Sequence, residues 1–249
     1  MPNNATEPVY DYAVEDDLFE QIYPQEIREL SAIHWTPLTI ARRAARLLVT
    51  RPGMRVLDIG CGVGKFCILG ALTTRGHFTG VEQRKHLVDF ACTAIQILKV
   101  PNARILHGNI TETEFAEFDA FYLFNPFEEN LFEAGKIDAS VSLSLALYKQ
   151  YVRYVAEQLA LAPIGTRLVT YGGYCHEVPN CYDSRQKVSD EQLKLWVKTS
   201  ESRGKAFCRE SSMEQVEELL GMITNLGGLR AGTTPPRSNR RNAKPEITL

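Results

Sequence analysis

The sequence predicts an α/β fold: a doubly wound, mostly parallel sheet with helices packed on both of its faces. Five short runs rich in apolar, β-branched or aromatic residues recur between residues 55 and 171, and helical patterns separate most of them. This alternation is typical of parallel strands joined by helical crossovers. The 249 residues, of which 44% are hydrophobic and 23% charged, suffice for one sizeable core.

Residues 1–33 are predicted to form an N-terminal helical extension, acidic and interrupted at Pro24, which is a candidate for part of a lid. The first core helix is predicted in HWTPLTIARRAARLL, with Thr36 as its N-cap and Pro37 as its first helical residue. Alanines and a leucine recur there at helical spacing, so we expect one buried face. The three arginines lie on the opposite, solvated face.

The predicted strands span residues 55–59, 77–81, 103–107, 120–124 and 166–171. Helical stripes follow the first two strands, and a long stripe over residues 141–159 precedes the fifth. The segment TETEFAEF, between the third and fourth strands, has room for only about two turns.

The C-terminal third is predicted to contain an antiparallel hairpin. LKLWVK alternates as a half-exposed strand does, and KAFCR is its predicted partner, although a helix over residues 189–199 remains an alternative. Ser211 and Glu214 have capping-box spacing, which predicts a further helix. We therefore expect a main domain over residues 34–228 and a flexible tail over 229–249.

Composition excludes few functions. The net charge of −2 gives no general attraction to nucleic acid or to an anionic membrane, and no apolar run approaches the ~20 residues of a spanning helix. The N-terminus lacks the layout of a secretion signal, so we expect a cytoplasmic protein. Six cysteines without a CxxC pair favour buried, reduced thiols over zinc, and no metal site is predicted. Basic residues in the tail leave nucleic acid or an acidic protein open as a partner.

The most informative stretch is VLDIGCGVGKF. Asp58 ends the first strand, and Gly60, Gly62 and Gly64 follow it where ligands of open α/β sheets bind. A dinucleotide fingerprint needs glycine or alanine where this chain has Lys65, which disfavours an NAD-dependent oxidoreductase. An acid beside the loop suits a phosphate-free ligand with a cationic amino acid moiety.

The next two strands supply further polar groups. Glu82 lies 22 positions after Gly60, where an acidic side chain takes both hydroxyls of a ribose. Asn109, after the third strand, can reach an adenine edge with its amide. A nucleoside plus an amino acid without phosphate describes S-adenosylmethionine.

Four motifs in strand order, VLDIGCGVGKF, GVEQ, HGN and FNPF, resemble those of class I, seven-strand, Rossmann-like S-adenosylmethionine-dependent methyltransferases. The similarity covers roughly residues 34–175. The glycine loop resembles most closely that of the non-SET histone lysine methyltransferases and their bacterial relatives.

The resemblance implies roles for particular residues. Asp58 and the three glycines would cradle the methionine half of the cofactor, and Glu82 would bind the ribose. Asn109 would meet the adenine where the family often has aspartate. His34 and Thr36, just before the core helix, would also approach the cofactor.

The fourth strand ends in FNPF, which partly resembles the NPPY motif of enzymes that methylate amide or exocyclic amino nitrogens. In those enzymes the asparagine oxygen accepts from the target NH₂ and an aromatic ring stacks on it, roles that Asn125 and Phe127 would fill, with Pro126 between them. Alternatively, Pro126 simply ends a strand and Asn125 holds a turn. A cationic acceptor would need a base, for which Glu128 and Glu129 are the nearest candidates, although either can be solvent-facing.

The sequence thus predicts an S-adenosylmethionine-dependent methyltransferase whose acceptor is a nitrogen atom on a protein or another macromolecule. Two alternatives remain: a catalytically silent, cofactor-binding scaffold subunit, and a small-molecule methyltransferase. The acceptor itself and the oligomeric state are not predicted.

Overall fold

The computed structural model describes residues 12–132, 136–187 and 192–202. Within them seven strands form one sheet in the order β3-β2-β1-β4-β5-β7-β6. The first five strands are parallel to one another, whereas β7 runs antiparallel to both β5 and β6. The strands are β1 (Arg55–Ile59), β2 (His77–Glu82), β3 (Ala103–His107), β4 (Ala120–Leu123), β5 (Arg167–Tyr171), β6 (Tyr182–Lys187) and β7 (Leu193–Lys198).

Helices connect most of the parallel strands, as predicted. In chain order they are α1 (Tyr12–Glu20), α2 (Gln25–Arg28), α3 (Ser31–His34), α4 (Leu38–Leu48), α5 (Lys65–Thr73), α6 (Lys85–Leu98) and α7 (Leu145–Leu161). Consecutive residues of β1 and β4 are buried, which shows that both faces of the central sheet are covered. The doubly wound, mostly parallel fold is thereby confirmed.

Local predictions hold with small shifts. The segment TETEFAEF has short 3₁₀ turns at Ile110–Glu112 and Phe115–Glu117. The long helical stripe begins later than its first apolar residue, because Ser144 caps α7 by accepting a hydrogen bond from the Leu147 N–H at 3.2 Å.

The start of α4 differs from the prediction. The helix begins at Leu38 with Pro37 in the N-cap position, and Thr36 does not cap it. The Thr36 hydroxyl instead contacts the Tyr122 hydroxyl at 2.9 Å, while the Leu38 N–H donates to Asp16 Oδ1 at 2.9 Å. Thr36 as an N-cap was therefore wrong, since α1 supplies the carboxylate that caps this helix. The predicted alanine and leucine face of α4 is fully buried.

The predicted C-terminal antiparallel hairpin is confirmed, with a different partner strand. LKLWVK forms β7 and not a helix, and its two edges pair with β5 and β6. The sequence reading missed β6. KAFCR itself, the predicted helix at Ser211 and the predicted tail lie outside the described residues, and the predicted domain boundaries stay predictions. In the described part of the chain, no helix is long and apolar enough to cross a membrane.

Candidate active site

A cleft lies beyond the carboxyl ends of the central strands. Because β1 is the parallel neighbour of both β2 and β4, the loops that follow these three strands meet at one edge of the sheet. The cleft brings together seven of the residues predicted from the sequence: Gly60, Gly62, Glu82, Asn109, Asn125, Pro126 and Phe127.

Two glycines of the loop allow unusually close packing. Gly60 (φ 72°) and Gly62 (φ 53°) adopt left-handed backbone conformations. A Cβ on Gly60 would lie 2.6 Å from Pro126 Cβ, and one on Gly62 would lie 2.4 Å from Trp35 Cζ3. Both glycines line the cleft and also make room for a protein side chain. Trp35, which the sequence reading missed, thus packs directly on the glycine loop.

The third glycine has a different position. Gly64 (φ 73°) caps α5, and a Cβ there would lie 3.1 Å from both Ala91 and Ile105, which belong to α6 and β3. It is absent from the cleft lining, so its position favours a packing role over direct contact with a cofactor.

Glu82 is held at the floor of the cleft by the backbone. Its Oε2 accepts from the Gly62 N–H at 3.1 Å and its Oε1 from the Arg84 N–H at 2.8 Å. Burial raises the pKa of Glu82, and these two donors together with the Arg84 charge act in the opposite direction. Each oxygen keeps further acceptor capacity, as a pair of ribose hydroxyls requires.

Asp58 lies beside the cleft, in a small adjoining cavity that Thr36 and His34 also line. Its side chain is buried, and Cys67 Sγ donates to its Oδ2 at 3.5 Å. Burial raises the Asp58 pKa to about 8, the Cys67 hydrogen bond lowers it, and the Glu82 carboxylate adds to the increase. A carboxylate buried beside a thiol is suited to a cationic partner such as an amino acid ammonium group. The two carboxylates, Glu82 for ribose hydroxyls and Asp58 for an ammonium group, therefore fit S-adenosylmethionine.

Asn109 makes local hydrogen bonds at the cleft. Its Oδ1 accepts from the Thr111 N–H at 3.1 Å and the Thr111 hydroxyl at 2.9 Å, and its Nδ2 donates to the Tyr151 hydroxyl at 3.0 Å. The residue therefore caps a 3₁₀ turn as well as lining the cleft. Adenine recognition by Asn109 stays a prediction.

A buried arginine forms one wall of the cleft and was missed from the sequence, although it stands two residues after Glu82. Arg84 donates to Glu129 from both terminal nitrogens, at 3.1 and 2.8 Å, and to Asp138 from Nε at 3.2 Å. The guanidinium thereby ties the segment after β4 to the end of β2.

After β4 and β5, the backbone around Asn125 has unusual conformations. Asn125 itself has φ 44°, and its carbonyl accepts from the Glu128 N–H at 3.3 Å, which closes a turn. After β5, Gly172 (φ 63°) and Gly173 (φ 72°) wrap the Asn125 side chain; a Cβ on Gly173 would lie 2.0 Å from Asn125 Oδ1. Asn125 therefore does hold a turn, as the alternative proposed, and it also lines the cleft.

A second cleft adjoins the first and shares Trp35, Phe124 and Asn125 with it. Phe124 packs on Tyr171 with ring centroids 4.9 Å apart. Phe127 lies in the first cleft instead, 5.3 Å from the Tyr151 ring. The second cleft is also lined by residues from α1, α2, the loop after β5 and the residue before β7: Asp16, Asp17, Glu20, Gln21, Arg28, Glu29, Gly172, Gly173 and Gln192.

The N-terminal segment is anchored to the glycine loop. The Tyr23 hydroxyl donates to the Val63 carbonyl at 3.0 Å, and the buried Lys65 ammonium pairs with Asp16 and Glu20 of α1. Lys65 thus binds protein carboxylates at the position where a dinucleotide fold would need a small residue.

Comparisons with known proteins agree with this architecture. Residues 50–158 match a family model described as a methyltransferase domain. Demethylmenaquinone methyltransferase of Bacillus cereus is 23% identical over 134 residues, which are 53% of this chain and 47% of the relative; the chain thus matches about half the length of that protein.

Two solved structures are among those similar to this chain. An RNA methyltransferase from Salinibacter ruber, in complex with S-adenosyl-L-homocysteine, is 18% identical with a TM-score of 0.47, over 69% of this chain and 97% of that one. A mutant of MtNAS is 14% identical with a TM-score of 0.50, over 76% of each chain. The particular likeness of the glycine loop to histone lysine methyltransferases stays a prediction. Residues 50–158 are thus similar to a methyltransferase domain, and they lie within a doubly wound, mostly parallel sheet.

Proposed function

We propose that this chain transfers a methyl group from S-adenosylmethionine to a nitrogen atom of a protein or another macromolecule. The observation that carries the proposal is the position of Asn125, which lines both the cleft of the glycine loop and the second cleft. A carboxamide there can hold an acceptor at the mouth of the cofactor cleft.

In this proposal the backbone and two carboxylates hold the cofactor. Gly60 and Gly62 expose main chain to the cofactor. Glu82 accepts hydrogen bonds from the ribose hydroxyls, and Asp58 forms an ion pair with the ammonium group. The bound cofactor supplies an activated methyl group, so the protein has to align the nucleophile and exclude water. Trp35 and Phe124, which line both clefts, are suited to exclude water where the clefts join.

The acceptor nitrogen is held by Asn125, whose oxygen accepts from the target N–H group. Phe127 was the predicted stacking residue, but its side chain packs against Tyr151 in the first cleft. The aromatic pair of Phe124 and Tyr171 beside Asn125 is the better candidate for contact with the acceptor.

The composition of the second cleft supports a macromolecular acceptor. Its lining combines residues of α1, α2 and the loop after β5, which is more surface than a lone functional group needs. A small-molecule acceptor remains the second candidate, because the Bacillus relatives are named for demethylmenaquinone.

Titration calorimetry of the purified chain tests the cofactor assignment. We expect heat with S-adenosylmethionine and S-adenosyl-L-homocysteine, none with NAD, and roughly 100-fold weaker binding in Glu82→Ala, because the ribose loses a charged acceptor. Glu157→Gln, which removes an exposed carboxylate of α7, serves as control. Equal binding by wild type and Glu82→Ala would contradict the assignment.

Methyl transfer is tested with radiolabelled S-adenosylmethionine and fractionated cell extract. We expect label in a protein or RNA fraction, on nitrogen, with a loss of roughly 100-fold in Asn125→Ala. Label in the small-molecule fraction would support the second candidate. Cofactor binding without label in any fraction would favour the silent subunit.

A further inference from the structure

We infer that Glu128 is the general base of the transfer and that the acceptor nitrogen is a protonated amine. The inference rests on the proposed function and deepens it, since it distinguishes an ammonium acceptor from an amide or a nucleobase nitrogen.

The two glutamates after FNPF have opposite environments. Glu129 forms a bidentate ion pair with the buried Arg84 and also accepts from the Ile137 N–H at 3.0 Å, so its carboxylate is committed to holding the cleft wall. Glu128 is half-buried and, like Glu129, lines the first cleft, beside the glycine loop. Of the two candidates, Glu128 is the one available for chemistry.

Glu128 lies next to the group that would hold the acceptor. A Cβ built on Gly173 would be 2.0 Å from Asn125 Oδ1 and 3.0 Å from Glu128 Oε1, so both oxygens lie close to a single point. An amine that donates one hydrogen to Asn125 has Glu128 within reach of a second. Glycine at position 173 is what leaves room for the two oxygens.

The surroundings of Glu128 raise the pKa of its carboxyl group. Burial raises its pKa above the ordinary value, while the Tyr174 N–H, which donates to the carboxylate, acts in the opposite direction. After β5, Glu177 and Cys175 interact electrostatically with Glu128: its charge raises the pKa of both groups, while Lys194 of β7 lowers both. A carboxylate with a raised pKa is a better base near neutral pH than an ordinary one.

The charge of the second cleft favours a cationic acceptor. Its lining carries four carboxylates, at Asp16, Asp17, Glu20 and Glu29, against two cations, at Arg28 and Lys65. A cleft of this balance attracts an ammonium group and repels an anionic one. It therefore supports the amine over a phosphate-rich acceptor.

The Glu128 carboxylate takes one proton from R–NH₃⁺ and leaves R–NH₂ with a free lone pair. The nitrogen then forms a bond to the methyl carbon while the carbon–sulfur bond breaks, and its electron pair stays on sulfur. The products are R–NH₂⁺–CH₃ and S-adenosyl-L-homocysteine, and the proton on Glu128 passes to solvent.

The test compares wild type, Glu128→Gln and the control Glu157→Gln with labelled S-adenosylmethionine at pH 6 to 9. The acceptor probes are poly-lysine, n-butylamine, acetamide and phenol. We expect label on the amine probes, and a rate in Glu128→Gln that is roughly 10²–10⁴-fold lower at pH 7. That deficit should shrink as the pH rises, because the amine then loses its proton without help. Calorimetry with S-adenosyl-L-homocysteine should give the same affinity for all three proteins.

Glu128→Asp keeps the carboxylate and should retain the wild-type pH profile at a lower rate, which tests the role even if the glutamine variant does not fold. Equal pH profiles for wild type and Glu128→Gln on the amine probes would overturn the inference and leave the proposed function intact. Label on acetamide or phenol alone would overturn the amine assignment. If calorimetry detects no cofactor binding by the wild-type protein, the proposed function itself is overturned.

Discussion

At the ends of β1 and β2 the proposed cofactor half of the site is built mainly from backbone, whereas at the ends of β4 and β5 the proposed acceptor half depends on side chains. In the first half, Gly60 and Gly62 turn the main chain, and Glu82 is fixed by two N–H donors. In the second, Asn125 and Glu128 project from a turn that the glycine pair after β5 encloses. A site built from backbone groups can be predicted from the spacing of residues in the sequence. A site built from side chains depends on the orientation of each side chain, which the sequence does not give.

Among the substitutions that test this contrast, the largest loss of stability is expected in the glycine loop. Gly62→Ala combines an unfavourable φ of 53° with a Cβ 2.4 Å from the Trp35 ring, so we expect a loss of roughly 2–5 kcal/mol in the free energy of unfolding. Gly53→Ala is the matched control: its φ is 79°, but nothing lies within 4 Å, so we expect roughly 1–2 kcal/mol. Urea denaturation measures both, and equal losses would show that Trp35 does not pack tightly on the loop.

An intermediate effect is expected at Asp58, because its buried carboxylate lowers the stability of the folded state near neutral pH. Its pKa of about 8 lies above the ordinary value of 3.8, so the folded state holds the proton more tightly than the unfolded chain does. Stability should therefore fall as the pH rises from about 4 to about 8. Asp58→Asn removes this dependence and should be more stable than wild type by roughly 1–4 kcal/mol at pH 7.5.

The same Asp58→Asn variant should bind S-adenosyl-L-homocysteine more weakly, because the ammonium group loses its counter-charge. Thermal melts at pH 5 and pH 7.5, together with calorimetry, measure the two effects. A variant that is less stable at pH 7.5 and binds normally would show that Asp58 is structural and takes no part in cofactor recognition.

The contrast between the halves also explains what the sequence could predict. The five parallel strands follow from short-range patterns and were predicted correctly. Gly60, Gly62 and Glu82 follow from the same patterns and line the cleft. Trp35 and Arg84 were missed because their importance comes from what packs against them: the glycine loop for one and the segment after β4 for the other. Glu128 and Glu129 cannot be told apart in the sequence, since only the ion pair with Arg84 distinguishes them.

The N-terminal segment shows the same limit. Its helices α2 and α3 have four residues each, too short to produce a convincing periodic pattern. Its carboxylates resemble those of a solvated extension. Yet Asp16 caps α4 and pairs with Lys65, so tertiary contacts rather than local propensity determine its place.

The smallest expected effect sharpens the comparison by testing whether this segment belongs to the cofactor half. Tyr23 is buried, its hydroxyl donates to the Val63 carbonyl at 3.0 Å within the glycine loop, and burial raises its pKa. Tyr23→Phe keeps the ring and removes one hydrogen bond, so we expect a loss of about 1 kcal/mol in the free energy of unfolding. Tyr174→Phe, whose ring is 47% exposed, is the control and should lose less than about 0.5 kcal/mol.

If the segment acts as part of the cofactor half, Tyr23→Phe should also weaken S-adenosyl-L-homocysteine binding by several-fold, because the bond steadies the loop that exposes its main chain to the ligand. The ratio of label on amine probes to label on other probes should not change, since the acceptor half does not depend on this bond. A change in that ratio without a change in cofactor affinity would place the segment with the acceptor half.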